Sequence, residues 1–198
     1  MPVRRILPCA LAALLLAACT DSDTQPIAST VPATTATSAA AEPVIELGDF
    51  DPEGDFTVFD PCTEIPAEVL AEAGLGEPVG EPYYDGNMSV LCSGRLTTPD
   101  HSGVVGLSGD RFSKERIEEL NLILGEASGT DLDGAYLHAL PGDAGNDCSA
   151  AISTTRGRFV VNYNEPLFSG DRQELCSVAL SKLEIIVKKM GEINGNLS

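Results

Sequence analysis

The chain reads as an α+β protein: an antiparallel sheet of about five strands packed with two to three helices, in the order β-α-β-β-α-β-β-β-α. Three observations predict this. Short apolar segments bounded by Gly, Pro and Asn recur between residues 88 and 163, the mark of strands joined by turns. The segment from Asp171 to Met190 places Leu175, Ala179, Leu183, Ile186, Val187 and Met190 on one helical stripe. Ahead of both lies a Thr-, Ala-, Ser- and Pro-rich stretch without an aromatic residue until Phe50, too poor in apolar side chains to offset its own ordering entropy.

Taken in order, Phe56-Thr57-Val58-Phe59 is a short strand candidate. Pro66 suits the first turn of a helix running to about Ala73, with Val69, Leu70 and Ala73 on one face and Gly74 as its stop. Residues 76–87, rich in Gly and Pro, read as a loop. Met88–Leu96 and Gly103–Ser108 read as strands. A second helix is expected from about Ser113 to Leu124, carrying Ile117, Leu120 and Leu124 and ending at Gly125. Strands follow at Ala135–Leu140, Cys148–Thr154 and Arg158–Tyr163, the last two joined by a hairpin at Thr155-Arg156-Gly157. In the closing helix, Asp171 and Glu174 fit a capping box with an acid at the N-cap. The order is reminiscent of small α/β/α sandwiches of the Mog1 and PsbP kind, an analogy of fold that says little of function.

The first residues decide compartment. Arg4 and Arg5 precede an apolar run from Ile6 to Ala18, about half of the roughly 20 residues a bilayer span needs. Leu16-Ala17-Ala18-Cys19 closes that run and resembles the lipobox of bacterial lipoproteins, in which the cysteine thiol receives a diacylglyceryl group and becomes the mature N-terminus. The reading divides the chain into a signal at 1–18, a disordered tether at 19–55 and a folded domain at 56–198. It predicts a lipid anchor on Cys19 and a place on the outer side of the cell membrane.

The whole chain carries a formal charge of −18, and loss of Arg4 and Arg5 makes the mature form more acidic still. Such a protein is repelled by nucleic acid and by anionic headgroups. The acidity is uneven: fifteen acids and no Lys or Arg lie between Thr20 and Gly94. Four cysteines remain for the domain, Cys62, Cys92, Cys148 and Cys176, an even number that in a secreted chain reads as two disulfides. Three connectivities are possible. The local one closes two loops of about 30 residues, each worth roughly 3.6 kcal/mol in the chain-entropy model. Cys176 lies on the inward stripe of the last helix, where Cys148 on an inner strand could meet it.

Several of these features together resemble a known family, the actinobacterial secreted lipoproteins grouped as domain of unknown function 3558. The likeness runs from about Phe59 to Met190. It rests on Phe59-Asp60-Pro61-Cys62 before a helix ending Ala73-Gly74-Leu75, on Cys92 in the next strand, and on Gly134-Ala135-Tyr136. It continues through Cys148-Ser149-Ala150-Ala151-Ile152 and Cys176-x-x-Ala179-x-x-x-Leu183-x-x-x-Val187. The resemblance implies the local disulfides, Cys62–Cys92 and Cys148–Cys176, and an envelope location; it implies no characterised activity.

Candidate sites are few. Asp49-x-Asp51-x-Glu53-Gly54-Asp55, with Asp60 at the twelfth position, overlaps a calcium-loop pattern. It lacks flanking helices, Pro52 stiffens it, and an acidic spacer makes such matches by chance; no metal is expected. Glu64, Glu68 and Glu72 recur every four residues, a solvated helix face or a docking stripe for a basic partner. Gly106-Leu107-Ser108-Gly109-Asp110 stops one residue short of a nucleophile elbow. His101 and His138 have acids nearby in sequence, as any histidine here would, and no phosphate loop follows a strand. No catalytic residue and no cofactor is expected. The expectation is a non-catalytic binding or interaction module of the envelope, acting on an unknown envelope protein or small ligand and not on nucleic acid. A carrier of a small apolar ligand held between sheet and helix is the first alternative, favoured by a contiguous pocket of a few hundred Å³. An enzyme is the second.

Overall fold

Seven strands form one antiparallel sheet in the computed structural model, which describes residues 45–142, 145–168 and 170–193. They are β1 (Tyr83–Asp85), β2 (Ser89–Thr97), β3 (Ser102–Asp110), β4 (Ile123–Glu126), β5 (Tyr136–His138), β6 (Asp147–Thr154) and β7 (Gly157–Asn164). Their spatial order is β1-β2-β3-β7-β6-β5-β4. Two short helices, α1 (Pro61–Glu64) and α2 (Ala67–Glu72), precede the sheet; α3 (Lys114–Glu119) joins β3 to β4, and α4 (Arg172–Ile193) closes the chain. The α+β class and the antiparallel sheet agree with the sequence reading. Among the described residues the expected five strands are corrected to seven and the expected two to three helices to four, since the first helix is broken in two at Ile65 and Pro66.

Period-two alternation sorts the sheet into two unlike faces. On one side Val105 and Leu107 of β3, Phe159, Val161 and Tyr163 of β7, and Cys148, Ala150 and Ile152 of β6 are buried in the main core. The stripe of α4 packs on them: Leu175, Ala179, Leu183, Ile186, Val187 and Met190 are all buried. Each of the larger side chains contributes about 1.5–3 kcal/mol of transfer free energy, an upper estimate that makes α4 the chief lid of this face. Asp171 caps the helix, its Oδ1 accepting from Gln173 N at 3.0 Å.

The differences from the sequence reading lie where one hydrogen bond decides a helix end. Both α2 and α3 end in a Schellman motif. In α2 the left-handed residue is Gly74, with φ 74°, and Leu75 N donates to Leu70 O at 3.0 Å. In α3 it is Asn121, with φ 56°; its N donates to Glu118 O at 2.8 Å, and Leu122 N donates to Ile117 O at 3.1 Å. The helix expected to reach Leu124 therefore stops at Leu120. The chain beyond becomes edge strand β4, leaving Leu120 and Leu124 exposed. At the other edge Tyr83–Asp85, expected as loop, pairs with β2.

Phe56–Phe59, expected as a strand, is extended but belongs to no strand, because side chains take up its carbonyls. Arg156 Nε donates to Thr57 O at 3.0 Å and its Nη2 to Val58 O at 3.2 Å; Asn87 Nδ2 donates to Phe56 O at 2.7 Å. Arg111 lies over the Phe56 ring, 3.9 Å from its centroid, and also donates to the carbonyls of Pro52 and Gly54. The Phe59 carbonyl rests on Gly109 so closely that a Cβ there would collide with it. Chain assigned to the tether also joins the fold: Ile45 is buried, and Thr155 N donates to Glu46 O at 2.9 Å. The signal and the rest of the tether, Cys19 included, lie outside the described residues.

Both local disulfides are formed. Cys62–Cys92 joins α1 to β2, with Cα atoms 5.7 Å apart, and Cys148–Cys176 joins β6 to α4 at 5.0 Å. The second fastens the covering helix to the sheet across 28 residues of chain. Removing such a bond from a small secreted domain typically costs about 2–5 kcal/mol. Cys176→Ala is therefore expected to lower the melting temperature by roughly 5–20 °C. Calorimetry on the variant beside the parent protein checks this.

Candidate functional site

The face of the sheet turned away from α4 carries a cup of about 590 Å³. Its floor follows from the same alternation: Ser108 and Asp110 of β3, Arg158, Val160 and Asn162 of β7, Ser149 of β6 and His138 of β5 all lie on this side. The crossover from β3 to β4 passes over this face. It brings Phe112, Ile117 and Leu122 to the cup as one wall, while Tyr83 and Leu91 form another. Ser113 makes the turn into that wall possible, capping α3 by accepting from Arg116 N at 3.3 Å.

At the base is a buried ion pair. Arg158 stands directly across from Asp110 in the β3–β7 register, its Nε 3.0 Å from Oδ1 and its Nη2 2.9 Å from Oδ2. The remaining guanidinium nitrogen, Nη1, donates to Tyr136 OH at 3.1 Å and faces His138 Nε2 at 3.4 Å. Burial works against the charge on Arg158, but the Asp110 carboxylate outweighs it and holds the guanidinium pKa above its ordinary value. Tyr136 is raised, chiefly by burial. Around His138, Nδ1 is 2.9 Å from Ala139 O, and a carbonyl only accepts, so Nδ1 carries the proton and Nε2 is the acceptor. Burial, and then the charge on Arg158, push the His138 pKa down to about 4. The imidazole is therefore neutral at pH 7, with its lone pair turned to Arg158 instead of to the cup.

A second polar group lies beside this one. Asn162 Nδ2 donates to Ser149 Oγ at 3.0 Å, Asp147 Oδ2 at 3.2 Å and Cys148 O at 3.3 Å. No buried side-chain nitrogen or oxygen among the described residues lacks a partner. What the arrangement can do is hold and orient a molecule: its walls are apolar, its charges are paired, and its small hydroxyls and amides face the opening.

The residues singled out in the sequence mostly lie elsewhere. Glu64, Glu68 and Glu72 do not form one stripe, because Ile65 and Pro66 break the helix between α1 and α2. Glu64 makes a two-point ion pair with Arg156, at 2.7 Å for each contact, Glu72 meets Lys189 at 3.0 Å, and Glu68 is exposed. Asp60 is the N-cap of α1, its Oδ1 accepting from Cys62 N at 2.9 Å and its Oδ2 from Thr63 Oγ1. Among the described residues no three His, Cys, Asp or Glu side chains converge as metal ligands. Gly106–Asp110 runs along β3 as plain strand and makes no elbow. His101 is on the helix side of the sheet, 3.3 Å from Glu165 and edge-on to Tyr163, so the two histidines never meet. The sequence reading missed Arg158, Asp110 and Tyr136. A signal was present: Arg158, Asn162 and Asn164 alternate with Phe159, Val161 and Tyr163, which marks a polar second face.

Fold and cup together define a disulfide-braced α+β domain whose single sheet is covered by helices on one face and bears an open hollow of about 590 Å³ on the other. The family described as protein of unknown function (DUF3558) matches residues 14–189, and the chain belongs to it. No match is found among curated proteins or among solved structures, so the Mog1 and PsbP analogy rests on element order alone.

The neutral His138 makes a test of the floor. Its pKa lies below the usual 6.5, so the unfolded chain binds the extra proton first as pH falls. Stability from this group is complete above about pH 6.5 and is lost between there and about pH 4, by about 3 kcal/mol in all. His138→Gln is expected to flatten that part of the stability–pH curve relative to the parent. Urea melts at intervals between pH 7 and pH 4 compare the two slopes.

Proposed function

We propose that this is a membrane-tethered binding module of the cell envelope, without chemistry of its own, that holds a small and largely apolar molecule in the cup. The observation that carries the reading is a cavity of about 590 Å³ walled by Tyr83, Leu91, Phe112, Ile117 and Val160 over a hydrogen-bonded floor. A cavity of this size with a few convergent polar groups suits a drug-sized guest. The space between sheet and α4, where the sequence reading looked for a ligand, is instead filled by packed side chains. The guest belongs on the opposite face. Against catalysis stand the engaged lone pair of His138 and the mutual neutralisation of Asp110 and Arg158.

The cup is tested by filling it. A Cβ at Gly106 would make only ordinary contacts, 3.6 Å from Leu91 and 3.7 Å from Asn162, and a β-branched residue suits the strand. Gly106→Ile is expected to keep the far-ultraviolet circular dichroism of the parent while abolishing uptake of N-phenylnaphthylamine, a neutral probe that fluoresces in apolar surroundings. Uptake that persists in a folded Gly106→Ile protein removes the cup from consideration.

Tethering rests on Leu16-Ala17-Ala18-Cys19 in the sequence; no described helix is long and apolar enough to cross a membrane. Cys19→Ser is expected to move the folded protein from the membrane fraction to the soluble one. A Cys19→Ser chain that still sediments with membranes in high salt and partitions into detergent disproves the lipid anchor.

A further inference from the structure

The chain is strongly acidic, with 30 Asp and Glu against 12 Lys and Arg, yet the lining of the cup is not. Among the described residues, Asp110 and Arg158 are the only charged side chains that line it, and they are bonded to each other at the base, 7% and 5% exposed. His138, the remaining titratable group on the floor, is neutral and its nitrogens are both engaged. A guest that enters this space meets no free counter-charge. What it does meet are uncharged hydrogen-bonding groups in one row. Ser93 of β2, Gly106 of β3, Asn162 of β7, Ser149 of β6 and His138 of β5 are successive register partners across the sheet. Ser108 lies in the adjacent row, between Leu91 and Val160.

These groups have capacity to spare. The hydroxyls of Ser93 and Ser108 make no hydrogen bond among the described residues, and both are only half-buried. Ser149 is fully buried beneath Asn162, and its Oγ, accepting from Nδ2, fixes that amide in place. Asn162 commits its amide nitrogen to three acceptors, which leaves its Oδ1 as an acceptor. The row can therefore both donate to and accept from a hydroxyl or a carbonyl. A carboxylate or an ammonium would lose its hydration on entry and gain no partner of opposite sign, a loss that neutral hydroxyls recover only in part.

We infer that the ligand of the cup is an uncharged amphiphile: an apolar body against Leu91, Phe112, Ile117 and Val160, with a hydroxyl or carbonyl on Ser93, Ser108 and Asn162 of the floor. The inference rests on the binding reading above and narrows it to one charge class.

The experiment uses the full chain carrying Cys19→Ser, so that neither lipid anchor nor detergent competes, and displaces N-phenylnaphthylamine with a C12 series. Dodecanol is expected to displace the probe at a concentration roughly tenfold or more below that needed for dodecanoate or dodecylammonium, the scale of one net hydrogen bond against an unpaired charge. Dodecane is expected to be weaker than dodecanol in the parent, and the gap is expected to narrow in Ser93→Ala/Ser108→Ala, where Asn162 Oδ1 alone remains to pair with the alcohol; an unchanged gap there overturns the assignment of the floor. A cation placed on the floor by Ser108→Lys should reverse the order in favour of dodecanoate. Leu91→Lys, at the exposed wall, provides the same reversal should the floor variant fail to fold. Probe uptake with dodecanoate or dodecylammonium equal to or better than dodecanol overturns the charge class and leaves the cup reading standing. An unchanged order in both lysine variants shows that the alcohol's advantage arises elsewhere and overturns it too. Absence of any probe uptake overturns both readings together.

Discussion

The contact on which the rest depends is the pair between Arg158 and Asp110. It lies at the seam where two hairpin-built halves meet: β1-β2-β3 on one side and β7-β6-β5-β4 on the other, joined only through β3 and β7 within the sheet. Desolvating two charges offsets most of what their attraction gains, so the pair adds little net stability. Its effect is on register. A slip of one residue would turn Arg158 into the apolar core and Phe159 onto the cup floor, leaving two buried charges without partners. The two-point geometry also orients Nη1, and through it Tyr136 and His138, so register and floor are set by one side chain.

From that register follows the inequality of the faces. Phe159, Val161 and Tyr163 point into the core that α4 covers over β6 and β7, with α1 over β2 and β3; Arg158, Val160 and Asn162 point to the side over which the β3–β4 crossover passes. A helix as long as α4 could have sealed this face as well. The crossover instead contains α3, which spans six residues before Asn121 ends it. A short helix walls a sheet without covering it, and a hollow remains. The cup is thus a consequence of where α3 stops.

The acidity of the chain acts mostly outside the site. Arg111 and Arg156 hold the extended segment before α1 through its carbonyls, and Arg156 also neutralises Glu64. A stripe of acids that looked available for a basic partner is in this way partly consumed by the fold. The cup, by contrast, is lined by no charge except the mutually bonded Asp110 and Arg158 among the described residues, the observation from which a neutral guest was inferred.

How much of this was legible along the chain depends on the range of the forces involved. The α4 stripe, the β6–β7 hairpin and the Gly74 stop are local patterns of periodicity and backbone freedom, and they read correctly. The cysteine pairs were legible once family likeness removed the alternative connectivities. Edge strands β1 and β4 were not, because an edge is defined by the neighbour it pairs with, and Asn121 gives a weaker left-handed signal than glycine. Phe56–Phe59 has the composition of a strand, yet arginines and an asparagine from distant segments claim its carbonyls. Least legible was the cup. Asp110 and Arg158 are 48 residues apart, and Ser93 and Asn162 lie on different halves of the sheet. Alternation could show that β7 has a polar face. Only the pairing of β3 with β7 decided what that face would meet, since strand order is set by long-range packing that no local pattern encodes.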